Sequence, residues 1–492
     1  MRRLLRAVLV MMTSQVAVAV VGILRNKLLA VLLGPAGVGL FAQLQTLQNF
    51  LANGVPMGMQ LGALKYIAAH RVKDQDQLPI TVSTAAKTFA VLSLLTVAAC
   101  LIFAKPLAAW IMSDASLYVY AIPAIVGVPF LIQTQLWQNY LRAGLEMKEY
   151  SATLVITSLV GLPIVIPLVV FWRQAGAASH LLIIAIVGYF VAKSLASRSM
   201  GPQLTSDLKH AGFDVSTLRN LIRFAVGNLP VFAIDLAVPF LIRVQIIRDL
   251  GLTANGIYQA AFAISSQYLS MPLNAIGAYV FPRISQLTDN KDINSEINSA
   301  LKISLLFCTS GILLALLCRD VFVSVLFSSK FLPAVALMGW QLIGDYFKSI
   351  TIVLQYPMLP QERFRARVVI NLLRNALFLT VFYLPSAELR LEGAVWAHAS
   401  SWLFECVTIY LYTNRTNGFT ISRRNKFLLA TSTAAVALLA YCSVTDPMWR
   451  IIGAAALALW ATTSLSREDL SKITRTVVRR LRTEKREDEP DA

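Results

Sequence analysis

Leu33-Gly34-Pro35-Ala36-Gly37-Val38-Gly39-Leu40-Phe41-Ala42-Gln43 returns later in the chain as Leu250-Gly251-Leu252-Thr253-Ala254-Asn255-Gly256-Ile257-Tyr258-Gln259. The leucine, the two outer glycines and the aromatic residue keep one constant offset, the trace that a duplicated structural unit leaves. A weaker echo sets Gln138-Asn139-Tyr140 and Glu146 against Leu354-Gln355-Tyr356 and Glu362. Each copy of the glycine motif follows a long apolar run, and such runs fill the chain. They fall near 7–33, 38–64, 83–104, 117–140, 151–172, 179–197, 221–247, 254–281, 298–318, 333–355, 367–385, 393–412, 427–444 and 448–465, most of them close to the roughly 20 helical residues a bilayer requires. They predict an all-α, polytopic membrane protein of about 14 transmembrane helices.

The motif recurs after the first helix of each group of six. Six is even, so both halves enter the membrane from the same side and are related by an axis along the membrane normal, a transporter layout with a path between two lobes. The expected organisation is an N-terminal six-helix lobe over 1–200, a cytoplasmic linker over 201–220 and a C-terminal six-helix lobe over 221–415. Two additional helices over 427–465 and a basic tail over 466–492 follow.

Composition agrees. Of 492 residues 57% are hydrophobic and 14% charged, against roughly a quarter charged in soluble chains, which excludes an ordinary soluble enzyme or a disordered regulator. The net charge of +18 in a soluble protein would raise nucleic-acid binding. Here it reads as basic cytoplasmic loops, with no nucleic-acid partner. One set of connections holds Arg2, Arg3, Arg6, Arg71, Lys73, Arg142, Lys148, Arg198, Lys209, Arg219, Arg283, Lys291, Arg363, Arg365, Arg367, Arg415, Arg423, Arg424 and Lys426. The opposite set holds little beyond Lys105, Arg173, Arg248, Arg319, Lys330, Arg390 and Arg450. The positive-inside rule then puts both termini in the cytoplasm. Met1–Arg6 and the apolar run to Leu24 resemble a signal peptide, but further apolar segments follow at once, so an uncleaved first span is expected. Trp110, Trp172 and Trp449 sit at span ends on the sparse side, as an interfacial belt does. The basic tail from Arg467 to Arg486 either lies on anionic lipid or is a solvated topology anchor. Cys100, Cys308, Cys318, Cys406 and Cys442 show no metal or redox spacing and read as small core residues.

Charges inside a bilayer cost at least ~3 kcal/mol each at its centre, so each needs a partner or a wet cavity. Arg25 and Lys27 lie about eight residues before the Gly34-Pro35 turn, roughly 12 Å below it at helical rise, and Arg243 precedes Gly251 similarly. They either face a cavity or, for Arg25 and Lys27, snorkel to the interface. Span 2 carries Gln45, Gln48, Asn49, Asn53 and Gln60; span 8 carries Gln259, Ser266, Ser270 and Asn274; span 10 carries Gln341, Asp345, Lys348 and Gln355. Such stripes face water or protein rather than lipid, and amides also serve to join helices. Asp345 and Lys348, at i and i+3, are placed to pair with each other. Asp235, His398 and Glu405 are isolated ionisable positions suited to H⁺ or Na⁺ coupling, with Arg374 as an alternative partner for one of the acids. A cationic, amide-lined cavity suits an anionic, hydroxyl-rich cargo.

The sequence resembles the oligosaccharide-lipid flippases of the MATE-like superfamily, the O-antigen and enterobacterial common antigen translocases of Wzx type. The resemblance covers roughly 10–415. It is carried by Asn26-Lys27-Leu28-Leu29-Ala30-Val31-Leu32-Leu33-Gly34-Pro35-Ala36-Gly37-Val38-Gly39-Leu40, by Gly256-Ile257-Tyr258-Gln259-Ala260 with Ile264-Ser265 and Tyr268-Leu269, and by Pro282 with Ile284-Ser285-Gln286-Leu287-Thr288. Leu317-Cys318-Arg319-Asp320, Ser329-Lys330-Phe331 and Trp340-Gln341-Leu342-Ile343-Gly344-Asp345 with Lys348 complete it. The resemblance implies a two-lobed bundle with a cationic central cavity, alternating access, and an undecaprenyl-diphosphate-linked oligosaccharide as cargo. It also implies a bacterial inner-membrane location, no covalent chemistry and no cofactor. A polysaccharide polymerase and a chain-length regulator are the partners it suggests. Lys27, Arg243, Gln259, Gln341, Asp345 and Lys348 fall on matching stretches, and Arg25 fits the superfamily's first-helix cation. The pair of helices after Tyr412 departs from the common twelve. Two other classes compete: a MATE-type exporter of organic cations, which should favour carboxylates in its cavity, and a membrane glycan polymerase, which should carry large outer loops.

Overall fold

The computed structural model describes residues 2–284, 287, 289–358, 363–441 and 447–464. The described residues form helices and no strands. In chain order these are α1 (Arg2–Gly54), α2 (Met59–Lys73), α3 (Gln77–Ile102), α4 (Ala104–Met112), α5 (Tyr118–Val126), α6 (Val128–Ala143), α7 (Met147–His210) and α8 (Val215–Ile284). There follow α9 (Asn290–Leu317), α10 (Arg319–Leu326), α11 (Ala334–Gln355), α12 (Phe364–Tyr383), α13 (Arg390–Asn417), α14 (Arg423–Tyr441) and α15 (Pro447–Ser464). Every one of the fourteen apolar runs lies largely on helix. Among the described residues six stretches are long and apolar enough to cross a membrane by length and composition, among them Gln77–Ile102, Ala115–Ala143 and Asn290–Leu317. The protein is a multi-pass membrane protein. Its outward surface is correspondingly apolar: Leu94, Leu95 and Phe171 are exposed, a burial pattern that only a lipid solvent rewards.

Three of the helices bend sharply. The chain turns in α1 at Gly34 (φ 68°, ψ −174°) and in α8 at Gly251 (φ 84°, ψ 178°), while α7 turns at Arg173 and Gly201. A side chain at 34 or 251 would meet only open space, so the positive φ is what selects glycine there. Pro35 then opens the second limb of α1, where its missing N–H costs nothing. The stretch 201–220, expected as a linker, is mostly helix: α7 runs to His210 and α8 starts at Val215. Its four-residue link is held on α3, since Ser83 and Lys87 donate to the Ala211 carbonyl and Thr84 accepts from the Asp214 amide. Asp214 caps α8, accepting from the Ser216 hydroxyl and from the Ser216 and Thr217 amides; these donors, the Ser216 hydroxyl first among them, hold its carboxyl well below the ordinary carboxylate range.

Packing follows the repeat. One apolar core joins α2, α3, α6 and the second limb of α7 through Ile67, Val82, Phe89, Ile132, Leu136 and Ala192. A larger one runs through both limbs of α1 and α8 into α9, α11 and α13. Helix α1 packs on both α7 and α8, so it links the two halves. Helices α14 and α15 pack on α9, and α14 also on α11, beside the C-terminal half. There the Tyr346 hydroxyl reaches Ser432 at 2.7 Å. Cys308 is buried and Cys100, Cys318 and Cys406 are half-buried, all as free thiols. Cys442 and the tail from Arg467 lie outside the described residues.

Candidate functional site

The two copies of the glycine motif meet. A Cβ built on Gly39 would stand 1.9 Å from the Leu252 carbonyl oxygen, and one on Gly256 would stand 1.9 Å from the Pro35 carbonyl oxygen. Leu252 and Pro35 are themselves equivalent positions of the repeat, so the contact is reciprocal. These glycines are required by close approach of backbones, whereas Gly34 and Gly251 are required by conformation. Asn255 Nδ2 donates to the Gly39 carbonyl at 2.8 Å; its counterpart in the first copy, Val38, has nothing to donate. Lys27 adds a third link, its Nζ donating to the Ser324 carbonyl on α10 at 2.8 Å. The halves are thus sealed together at the end of the bundle that carries the motif.

Each half encloses its own polar cavity. In the N-terminal half a cavity of about 340 Å³ lies between both limbs of α1, α6 and α7. Arg25, Gln48, Gln135, Gln138, Ser158 and His180 are among its lining residues. The Arg25 guanidinium sits 5.8 Å from the Phe41 ring centroid; its Nε is buried with no hydrogen-bond partner, and among the described residues no carboxylate lines the cavity. Gln48 is buried and spends its amide on the Leu181 carbonyl at 3.3 Å. Asn53 lies one step away, accepting from Gln135, which also bonds Gln60. Gln45 is half-buried and lines neither cavity.

The C-terminal half holds a cavity of about 410 Å³ lined by Asp235, Tyr258, Lys348, Arg374, Trp402 and Glu405, among others. Arg374 bridges two acids from different helices, Asp235 at 2.9 Å and Glu405 at 3.3 Å, and stacks 4.6 Å from the Trp402 centroid. Asn371 donates to Asp235 at 3.0 Å and Gln355 to Glu405 at 2.7 Å. Lys348 lies 5.5 Å from the centroid of the same Trp402. Asp345 does not pair with Lys348 as its i, i+3 spacing suggests. It is buried against His398 Nε2 at 3.1 Å and the Ser265 hydroxyl, to which Gln341 donates at 3.2 Å. Arg243 lies behind the cavity wall, donating to Asn255 at 3.1 Å and to Gln259, with Tyr258 and Phe262 over its guanidinium. The side chains of Ser266, Ser270 and Asn274 lie outside the described residues.

The residues singled out in the sequence therefore divide into four groups rather than one. Arg25 and Gln48 line the first cavity; Asp235, Lys348, His398 and Glu405 line the second. Arg243, Gln259, Gln341 and Asp345 form buried networks, and Lys27 belongs to the seal.

The profile of a family described as polysaccharide biosynthesis protein matches residues 4–288. This chain belongs to the polysaccharide biosynthesis protein family. The match takes in the whole N-terminal half and both limbs of α8, hence both copies of the glycine motif and their seal. Among curated relatives, the lipid III flippase of Escherichia coli (strain K12) is 28% identical over 354 residues, covering 70% of this chain and 82% of that protein. A putative O-antigen transporter of Shigella flexneri is 22% identical over 332 residues, covering 65% and 76%. The fold is that of the lipid II flippase MurJ in an inward closed conformation, with a TM-score of 0.73 at 11% identity over 96% of this chain and 100% of that one. An inward-facing multidrug resistance MATE transporter of the MOP superfamily follows at 0.71 and 13%, over 86% and 99%. His180 and Gln135 are polar positions that sequence patterning passes over, while Gln138 and Asn255 appear in it as repeat positions and not as site residues. His180 gives no signal of its own, being a lone imidazole ahead of an apolar run.

Proposed function

We propose that this protein is a flippase that carries an undecaprenyl-diphosphate-linked oligosaccharide, an O-antigen or enterobacterial common antigen repeat unit, from the cytoplasmic to the periplasmic leaflet of the bacterial inner membrane. The observation that carries the proposal is the seal at one end of the bundle joined to polar cavities inside each lobe. That is the form of an alternating-access carrier closed on one side. The Lys/Arg distribution supports a periplasmic sealed end and cytoplasmic termini. The names of the relatives supply the class of cargo. Asp235, Glu405 and His398 are the groups proposed to couple transport to a H⁺ or Na⁺ gradient, because they are intramembrane, ionisable and face one cavity. A polysaccharide polymerase and a chain-length regulator are the proposed consumers of the flipped product.

Export of an organic cation would need a carboxylate open to cargo. Among the described residues the first cavity has none, and in the second Asp235, though about half exposed, and Glu405 are both ion-paired to Arg374. A leaflet assay tests the choice: proteoliposomes are loaded with a fluorescent undecaprenyl-diphosphate oligosaccharide and probed with external glycosidase, with and without a proton or Na⁺ gradient. Wild-type protein is expected to move the lipid and Arg25→Glu to abolish movement while eluting and melting as a folded protein. Full activity of folded Arg25→Glu would remove Arg25 from the cargo path, and movement of an organic cation instead of the lipid would reverse the assignment.

A further inference from the structure

Resting on the alternating-access reading, we infer that Arg243 is a positioning residue of the joint between the halves rather than a contact for cargo. It orients the Asn255 carboxamide that closes the sealed end. Arg243 stands on the first limb of α8, before the Gly251 bend, and is 5% exposed. Its Nη1 donates to Asn255 Oδ1 at 3.1 Å and its Nη2 to Gln259 Oε1. Both acceptors stand on the second limb, one turn apart, so a single planar guanidinium spans the bend and braces its angle. The Tyr258 and Phe262 rings cover the guanidinium at 5.3 and 5.4 Å, and it is these two, not Arg243, that line the cavity of the C-terminal half.

The chemistry of the pair dictates which way Asn255 points. A guanidinium carries N–H donors and no acceptor, so only the amide oxygen can face it. The Nδ2 end is then turned toward the other half, where it meets the Gly39 carbonyl at 2.8 Å. Asn255 is fully buried, and both ends of its amide are engaged. Without Arg243 the amide is free to reverse. Its oxygen would then face the Gly39 oxygen, and the joint would lose a hydrogen bond and gain a buried pair of acceptors with no donor. The first copy of the motif has no such device, because Asn26 and Val38 occupy the positions equivalent to Arg243 and Asn255. The joint is symmetric in its glycines and one-sided in its lock.

The test reads the joint in full-length protein, in proteoliposomes free of lipid-linked glycan. Val38→Cys, next to Gly39, is placed in a chain lacking the native cysteines, and its labelling by a membrane-impermeant maleimide from the sealed side is timed. Asn255→Val, which gives the second copy the residue of the first, is expected to speed labelling about fivefold, as loss of one net hydrogen bond does. Arg243→Met should do the same, yet add nothing further in the Asn255→Val chain, because its effect passes through that amide. Arg243→Lys, which still only donates, should keep labelling slow. Asn255→Asp is nearly isosteric and retains its Arg243 partner, but it sets an oxygen against the Gly39 carbonyl; it should label fastest, roughly tenfold or more above the parent. Slow labelling of folded Asn255→Asp overturns the inference. So does independent acceleration by Arg243→Met in the Asn255→Val chain, the mark of a general loosening of the fold. Unchanged labelling of empty Arg243→Met also overturns it, since a residue that only touches cargo leaves the empty protein as it was. No cargo enters this measurement, so failure of folded wild type to move lipid in the leaflet assay would overturn the flippase assignment and leave the role of Arg243 standing.

Discussion

Arg374 answers to two acids at once, and this arrangement decides what any change there does. Glu405 is 3% exposed and depends on Arg374 and Gln355 for its partners, whereas the Asp235 side chain is about half exposed to the cavity. Removing the cation leaves a buried carboxylate unpaired, which costs roughly 3–5 kcal/mol. Arg374→Met is therefore expected to lower the melting temperature sharply, and Glu405→Gln in the same chain to recover most of the loss. Absence of recovery would mean that Arg374 supports the fold through Trp402 rather than through Glu405. The same residues mark where sequence reading stops. Their intramembrane position is legible, because a charge within an apolar run stands out. Their partners are not, since pairing at these positions is made between helices. Asp345 illustrates it: the nearest basic residue along its own helix is Lys348, yet His398 on α13 and Ser265 on α8 reach it first.

At the scale of helices, spacing of apolar runs locates the elements and the two LG–G motifs locate the bends, because hydrophobic length and the glycine preference for positive φ are local properties. What the second glycine of each motif does is not local. Gly39 and Gly256 are in ordinary helix and are constrained only by the other copy's backbone, at a distance no single stretch of sequence discloses. Gly39→Val and Gly256→Val should each prevent the two bends from closing, because the obstructing atoms are carbonyl oxygens and not flexible side-chain ends. Gly34→Ala leaves the contact intact and charges the chain only for its backbone conformation (φ 68°, ψ −174°), a region essentially reserved for glycine, about 1–3 kcal/mol. Comparing the three by melting temperature and by rate of lipid translocation separates the two roles. Gly34→Ala should fold less stably yet still transport, while the valine substitutions should lose transport. Equal transport in all three would place the close contact outside the working cycle.

Over the whole molecule the polar links of the seal, Asn255 to Gly39 and Lys27 to Ser324, are a small part of the contact between halves and accompany the apolar core that α1 shares with α8 through Val38, Leu40 and Ala254. A net contribution of about 1 kcal/mol per hydrogen bond keeps such a joint reversible, which a carrier that must open there requires. Lys27, whose Nζ holds the Ser324 carbonyl, is expected to bias the molecule toward closure. A cysteine at Val38, 5% exposed beside the seal, reports on it. In a background lacking the other cysteines, Val38→Cys should react slowly with a membrane-impermeant maleimide added from the sealed side, and several-fold faster when Lys27→Met is added. No acceleration would show that the glycine contact alone holds the joint.

The reciprocity of that joint has an ancestral meaning. When position 39 of one half touches 252 of the other, and 256 touches 35, each half offers its neighbour the same surface that it receives, the signature of an isologous two-fold interface. A six-helix chain bearing one copy of the motif would make the identical contact with a second molecule of itself. The joint therefore has the form of a homodimer interface preserved after gene fusion. Asn255, the counterpart of Val38, bonds the Gly39 carbonyl on one side of the axis alone, an asymmetry that fusion permits, since in a true dimer it would have to appear on both sides at once.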